Sequence, residues 1–198
     1  RYFGLEKLPR NMPYLLCPNH ESFLDGPLLV SILPRQVIYN LFILGYSDYW
    51  QGALSRRLAE ICKIVSIDPN VNLVRAMQAG AAGLKQGRAL LIFPEGTRTI
   101  DGYVAEFKKG AAILSAHLDA PIVPIAVDGL FDLWPRGRPS NWAGLLPWRA
   151  KPVTLVFGPP MRVRAGDYTE GTAQLRAAVV ALLDDIREKN RSTPLGEQ

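Results

Sequence analysis

The 198-residue sequence predicts an α/β fold: a single-domain sandwich with a mostly parallel mixed sheet flanked by helices. Three observations predict it. Short apolar runs of strand length alternate along the chain with longer runs of helical period. One run, Ala89-Leu90-Leu91-Ile92-Phe93, is apolar at every position, as a strand covered on both faces must be. No internal repeat and no long polar linker divides the chain, and its length suits one core.

The elements follow in order. Tyr14 to Cys17 reads as the first strand, closed by Pro18, and Ser22 to Leu33 as the first helix, stopped at Pro34. Gln36 to Leu44 reads as a second strand. Ser47 to Ile61 has a helical pattern with Asp48 near its start, and Lys63 to Ile67 reads as a strand ended by Asp68-Pro69. An Ala-rich helix is expected from Asn70 to Gln86, ended by Gly87, before the buried strand Ala89 to Phe93. A loop then leads to a helix over Phe107 to Leu118. Pro121 to Val127 and Val153 to Phe157 are the last two strands, separated by a loop rich in Trp, Pro and Arg from Phe131 to Pro152. Thr172 to Lys189 closes the chain as an amphipathic helix, with residues 191–198 expected to fray.

Hydrophobic residues make up 48% and charged residues 21%, which are globular rather than disordered values. The net charge of +5 favours anionic partners such as phosphates, nucleic acid or an anionic membrane surface. The two cysteines, Cys17 and Cys62, stand in no ligand pattern and are expected to be reduced and buried. No run approaches the roughly 20 apolar residues that span a bilayer, and no signal-peptide pattern is present. A chain that starts at Arg1 rather than Met is expected to be a domain of a longer protein.

Two clusters carry chemistry. His20 falls where the first strand yields to the first helix, with Asp25 five residues on. Within a continuous helix these side chains would point roughly 140° apart. They meet if His20 precedes the helix and Asp25 sits in its first turn. A carboxylate bonded to one imidazole nitrogen fixes the tautomer and supports the charge formed when the other nitrogen takes a proton. Such a pair can deprotonate an alcohol attacking a thioester, with no Ser or Cys nucleophile. A structural His beside an unrelated Asp is the alternative.

The second cluster is Phe93-Pro94-Glu95-Gly96-Thr97-Arg98, a turn delivered by the buried strand. Gly96 permits a sharp turn and close approach. Arg98 offers a planar fork suited to phosphate. Glu95 is suited to bond a hydroxyl or to hold Arg98; a plain surface turn with a Glu–Arg pair is the alternative. Lys108 and Lys109, before a helix that starts near Gly110, add positive charge. His117 reads as structural or exposed. No ligand cluster for a metal is present.

Asn19-His20-Glu21-Ser22-Phe23-Leu24-Asp25 resembles the NHxxxxD block of the glycerolipid acyltransferases, the lysophosphatidate acyltransferase-like (PlsC-like) family. Phe93 to Arg98 resembles that family's FPEGTR block, and Val123-Pro124-Ile125 its short final block, in the family's order and spacing. The resemblance runs from about Tyr14 to Val127. It implies the glycerol-3-phosphate acyltransferase-like form of the predicted sandwich. It also implies transfer of a fatty acyl group from acyl-CoA or acyl-carrier protein to a lysophospholipid or glycerol-phosphate acceptor, without a cofactor. His20 would be the base and Asp25 its partner; Asn19, Glu95, Gly96, Thr97, Arg98 and Lys108 would bind substrate. One block departs: where the family places a phosphate-binding Arg after its second strand, this chain has Asp68 or Pro69. That ending, with the loop around Trp134, resembles acyltransferase domains fused to acyl-activating ligases and similar to the 2-acylglycerophosphoethanolamine acyltransferases.

Trp134, Trp142 and Trp148 interleave with Arg136, Arg138 and Arg149, a mix suited to a membrane interface or to packing the loop on the sheet. No nucleic-acid module accompanies them, so no nucleic-acid partner is expected. The expectation is a peripheral protein at the cytoplasmic face of an anionic membrane. A lipid-docking module with an impaired site and a thioester hydrolase are the other two readings.

Overall fold

The computed structural model describes residues 1–46, 64–67, 69–145 and 152–192. Its strands are β1 (Tyr2–Phe3), β2 (Tyr14–Pro18), β3 (Leu41–Tyr46), β4 (Ile64–Ile67), β5 (Ala89–Leu91), β6 (Ile122–Asp128) and β7 (Thr154–Phe157). Its helices are α1 (Asp25–Ile32), α2 (Arg35–Asn40), α3 (Pro69–Lys85), α4 (Gly110–Leu118) and α5 (Tyr168–Ser192), with short 3-10 turns at Leu5–Lys7 and Trp142–Leu145.

The strands form one seven-stranded sheet in the order β1-β7-β6-β2-β5-β3-β4. All neighbours pair in parallel except β6 and β7. The mostly parallel mixed sheet and its helical layers are therefore those the alternating pattern predicts. β2 lies between β6 and β5, and every residue of β2 and β5 is buried. Alternate residues of these strands serve opposite faces. Leu15, Cys17, Leu90 and Ile122 share a core with Ala111, Ala112 and Leu114 of α4 and with Leu175, Val179, Leu183 and Ile186 of α5. Tyr14, Leu16, Leu91 and Val123 face Leu29 of α1 and Val37 of α2.

Several boundaries differ from the pattern. The first helix begins at Asp25, because Ser22 to Leu24 form the turn that Asp25 itself ties down. The stretch expected as a strand from Gln36 is helical to Asn40, and the strand starts at Leu41. Val37, Ile38 and Tyr39 favour strands, yet a single turn here buries Val37 while the Val37 and Ile38 amides bond to the Pro34 carbonyl. The buried strand is scored to Leu91, and α4 begins at Gly110 rather than Phe107. The strand expected from Val153 begins at Thr154. The closing helix runs from Tyr168 to Ser192, past the point where fraying was expected. β1 was not anticipated: two exposed residues carry no period, and only pairing with β7 makes them a strand. The helix expected over Ser47 to Ile61, and with it Cys62, lies outside the described residues.

Candidate active site

β2 and β5 are adjacent and parallel, so their C-terminal ends deliver both sequence blocks to the same rim of the sheet. Rims of this kind are where open α/β sheets place their sites.

His20 lies in the turn after β2, and Asp25 is the first residue of α1. A helical Cβ points toward the helix N-terminus, which turns the Asp25 carboxylate back on the preceding turn. Its Oδ2 accepts three hydrogen bonds: from His20 Nδ1 at 2.8 Å, Glu21 N–H at 2.7 Å and Ser22 N–H at 2.8 Å. Oδ1 is buried with no hydrogen-bond partner among the described residues. Asp25 is fully buried, whereas the His20 side chain is 20% exposed. The His20 ring stacks on Phe93, with centroids 3.9 Å apart and planes 23° off parallel. With the carboxylate ionised, Nδ1 carries the hydrogen and Nε2 is the nitrogen able to accept one.

The backbone of His20 is fixed as firmly as its ring. Its N–H donates to Glu95 Oε1 at 2.7 Å, and its carbonyl accepts from Thr99 N–H at 2.8 Å. Glu95 Oε2 accepts from Ala105 N–H at 2.8 Å. Glu95 thus bridges the two blocks; among the described residues it bonds His20 and Ala105 rather than Arg98 or an outward-facing hydroxyl. Burial pushes its carboxyl up to about 7, against the pull of the Ala105 and His20 N–H bonds.

Asn19, expected among the substrate-binding residues, is buried and bonded at both ends to the sheet. Its Nδ2 donates to the Val127 carbonyl at 2.9 Å and its Oδ1 accepts from Val127 N–H at 2.7 Å. Gly96 has φ 75, and a Cβ there would lie 2.7 Å from Lys108 Nζ, so the lysine stem crosses directly over the glycine. Thr97 is exposed. Arg98 Nη1 donates to the Trp134 carbonyl at 3.4 Å, and its guanidinium lies 5.8 Å from the centre of the Phe23 ring. Ser22 Oγ donates to the same carbonyl at 3.3 Å, so the Trp134 loop closes over both blocks. Trp134 packs on Phe23 and Trp142, with Trp142 half exposed and Arg136 and Arg138 in solvent. Trp148, Arg149 and Asp68 lie outside the described residues. Cys17 is buried, and burial pushes its thiol up. The exposed His117 bonds the Tyr168 hydroxyl at 3.1 Å, between α4 and α5.

Sequence reasoning missed Glu21, Asp128 and Arg187. The Glu21 side chain is 3% exposed; its Oε2 accepts from Leu130 N–H at 3.3 Å and its Oε1 from Arg187 Nη2 at 3.4 Å. Burial, then the nearby Asp25 and Asp128, push its carboxyl up to about 8, while Arg187 and the Leu130 N–H pull it down. Only the presence of a carboxyl inside the His20 to Asp25 block could have hinted at this. Arg187 lies 166 positions from Glu21 and has no local signal.

The fold and this rim define an α/β protein with an imidazole–carboxylate pair beside a basic turn. The sequence matches the Acyltransferase family over residues 1–128, and the chain belongs to that family. It is 31% identical over 144 residues to the chloroplastic 1-acyl-sn-glycerol-3-phosphate acyltransferase BAT2 of Brassica napus, across 68% of this chain and 38% of that protein. It is 28% identical over 189 residues to the 1-acyl-sn-glycerol-3-phosphate acyltransferase of Pseudomonas aeruginosa, across 92% of this chain and 66% of that one. The chain thus spans well under half of the plant relative. The crystal structure of the 1-acyl-sn-glycerophosphate acyltransferase PlsC from Thermotoga maritima has the same fold, with a TM-score of 0.75 at 22% identity, over 94% of this chain and 71% of that one.

Proposed function

We propose that this chain transfers a fatty acyl group from acyl-CoA or acyl-carrier protein to the hydroxyl of a lysophospholipid or glycerol-phosphate acceptor. The observation that carries this reading is the 2.8 Å bond from His20 Nδ1 to a fully buried Asp25, on a ring with a partly exposed edge. His20 Nε2 takes the proton of the acceptor hydroxyl as its oxygen attacks the thioester carbonyl. The new C–O bond forms, the C–S bond breaks, and the imidazolium returns the proton to the departing thiolate. Asp25 holds the tautomer and balances the transient imidazolium. Arg98 and Lys108 supply positive charge for the acceptor's phosphate. The names of the Brassica napus and Pseudomonas aeruginosa relatives, both 1-acyl-sn-glycerol-3-phosphate acyltransferases, support a phosphate-bearing acceptor.

The test is acylation of lysophosphatidate by acyl-CoA. His20→Ala should lower kcat by about 100-fold or more, the usual worth of a general base. Transfer that survives this change rules out the mechanism. Consumption of acyl-CoA at the same rate without acceptor would instead identify a thioester hydrolase.

A second reading concerns the acceptor. The sequence has Asp68 or Pro69 where the family's phosphate-binding arginine is expected, which favours a less charged phosphodiester such as lysophosphatidylethanolamine. A clear preference for lysophosphatidate in a competition between the two would eliminate it. Exposed Ile100, Tyr103 and Trp142, with Arg136 and Arg138, support peripheral docking on an anionic bilayer. Sedimentation with anionic but not neutral vesicles is the expected result.

A further inference from the structure

The stretch matched by the family ends at residue 128, yet one side chain beyond it reaches the reacting histidine by two routes. Arg187, on α5, is 29% exposed and makes bonds to three separate segments. Its Nε donates to Asp128 Oδ1 at 3.0 Å, at the end of β6. Its Nη2 donates to Glu21 Oε1 at 3.4 Å and to the Gly102 carbonyl at 3.2 Å.

Both of the Nη2 contacts continue to the dyad. Glu21 follows His20 in the chain, and its N–H donates to Asp25 Oδ2 at 2.7 Å. Gly102 N–H donates to Thr99 Oγ1 at 3.2 Å, and Thr99 N–H donates to the His20 carbonyl at 2.8 Å. The guanidinium is therefore bonded on both sides of the turn that presents the imidazole. Glu21, Asp128 and Asp25 are three acidic groups in this buried neighbourhood, and Arg187 is the cation bonded to two of them. Removing it would leave Glu21 beside Asp25 and Asp128, with the Leu130 N–H as its one remaining donor among the described residues. Buried charges left unpaired in this way rearrange or neutralise.

We propose that Arg187 is a positioning residue for the acyl-transfer site: it holds the His20–Asp25 turn in register with the 99–103 turn, through Glu21 on one side and Gly102 on the other. A lysine cannot replace it, because one ammonium on a flexible stem does not reproduce a planar fork that meets three acceptors. The kinetic part of this inference rests on the acyltransferase reading above; the spectroscopic part does not.

The experiment compares the full chain with Arg187→Met and Arg187→Lys. A proton on Nδ1 bonded to a buried carboxylate gives a downfield proton resonance, which Asp25→Asn assigns by abolishing it. In Arg187→Met this resonance should move upfield or vanish, and kcat should fall about tenfold or more with KM for both substrates within about twofold, the pattern of lost transition-state positioning. Arg187→Lys should fall between. Adding Arg187→Met to a Glu21→Gln chain should cost less than it costs alone, because one of its two routes is already broken. The inference is overturned if folded Arg187→Met keeps both the resonance and kcat. It is also overturned if both fall only in proportion to the unfolded fraction measured by circular dichroism. A wild-type chain that shows the resonance and its dependence on Arg187, but transfers no acyl group, would defeat the proposed activity and leave the positioning role standing.

Discussion

Two carboxyls beside the dyad are raised into the neutral range, Glu95 to about 7 and Glu21 to about 8, chiefly by burial. Each binds its proton more tightly in the folded chain than in the unfolded one. The folded state therefore holds more protons than the unfolded state between about pH 4.5 and pH 8, and stability falls as pH rises through that window. Glu21→Gln should flatten this decline on the side nearer pH 8, and Glu95→Gln on the side nearer pH 7. Urea midpoints measured from pH 5 to pH 9 check it; an unchanged slope in both variants counts against the assignment. At Asp25 the outcome is different. Under the proposed mechanism, Asp25→Asn keeps the shape but removes the charge that would balance the imidazolium, so kcat should drop by on the order of 100-fold or more while binding holds. Comparing kcat and KM for the pair of proteins checks it.

The elements were legible where period and length agreed. β2, β5 and β6 are unbroken apolar runs closed by turn residues, and the sequence reading of each lies within two residues of the structure at either end. It failed at Arg35 to Asn40, where β-branched and aromatic residues adopt one helical turn to seat Val37 in the core. It also could not see how closely α3 approaches the sheet. A Cβ on Gly83 would lie 2.3 Å from the Phe42 ring, so this glycine is a contact and not a break in the helix. Gly83→Ala should destabilise by about 1–3 kcal/mol through overpacking, even though alanine is the better helix former. Gly87 has open space around it but a φ of 73, so Gly87→Ala is disfavoured by backbone strain instead. Thermal melts of the two variants, each paired with Phe42→Leu, separate the causes: the smaller side chain should rescue Gly83→Ala and leave Gly87→Ala unchanged.

Across the whole molecule, local pairs in the site were readable and distant ones were not. His20 and Asp25 are five residues apart, and the helix start between them decides that they meet. Glu95 reaches back 75 positions and Arg187 166 positions, through strand order that no local pattern encodes. The same long reach makes the closing helix part of the core, since Leu175, Val179, Leu183 and Ile186 pack on β2, β5 and β6 residues. A chain ended at Asp167 should lose cooperative unfolding and, with it, the proposed activity; a sharp melting transition in that shortened chain would contradict this.

The strand order also has a meaning in time. β2 is made early but stands between β6 and β5, both made after it, and β1 waits for β7 to emerge. During synthesis the His20 turn thus leaves the ribosome long before the Glu95 and Thr99 bonds that fix its backbone can form. A nascent chain therefore carries His20 without its geometry until β5 and the 95–105 stretch have been made and have docked beside β2.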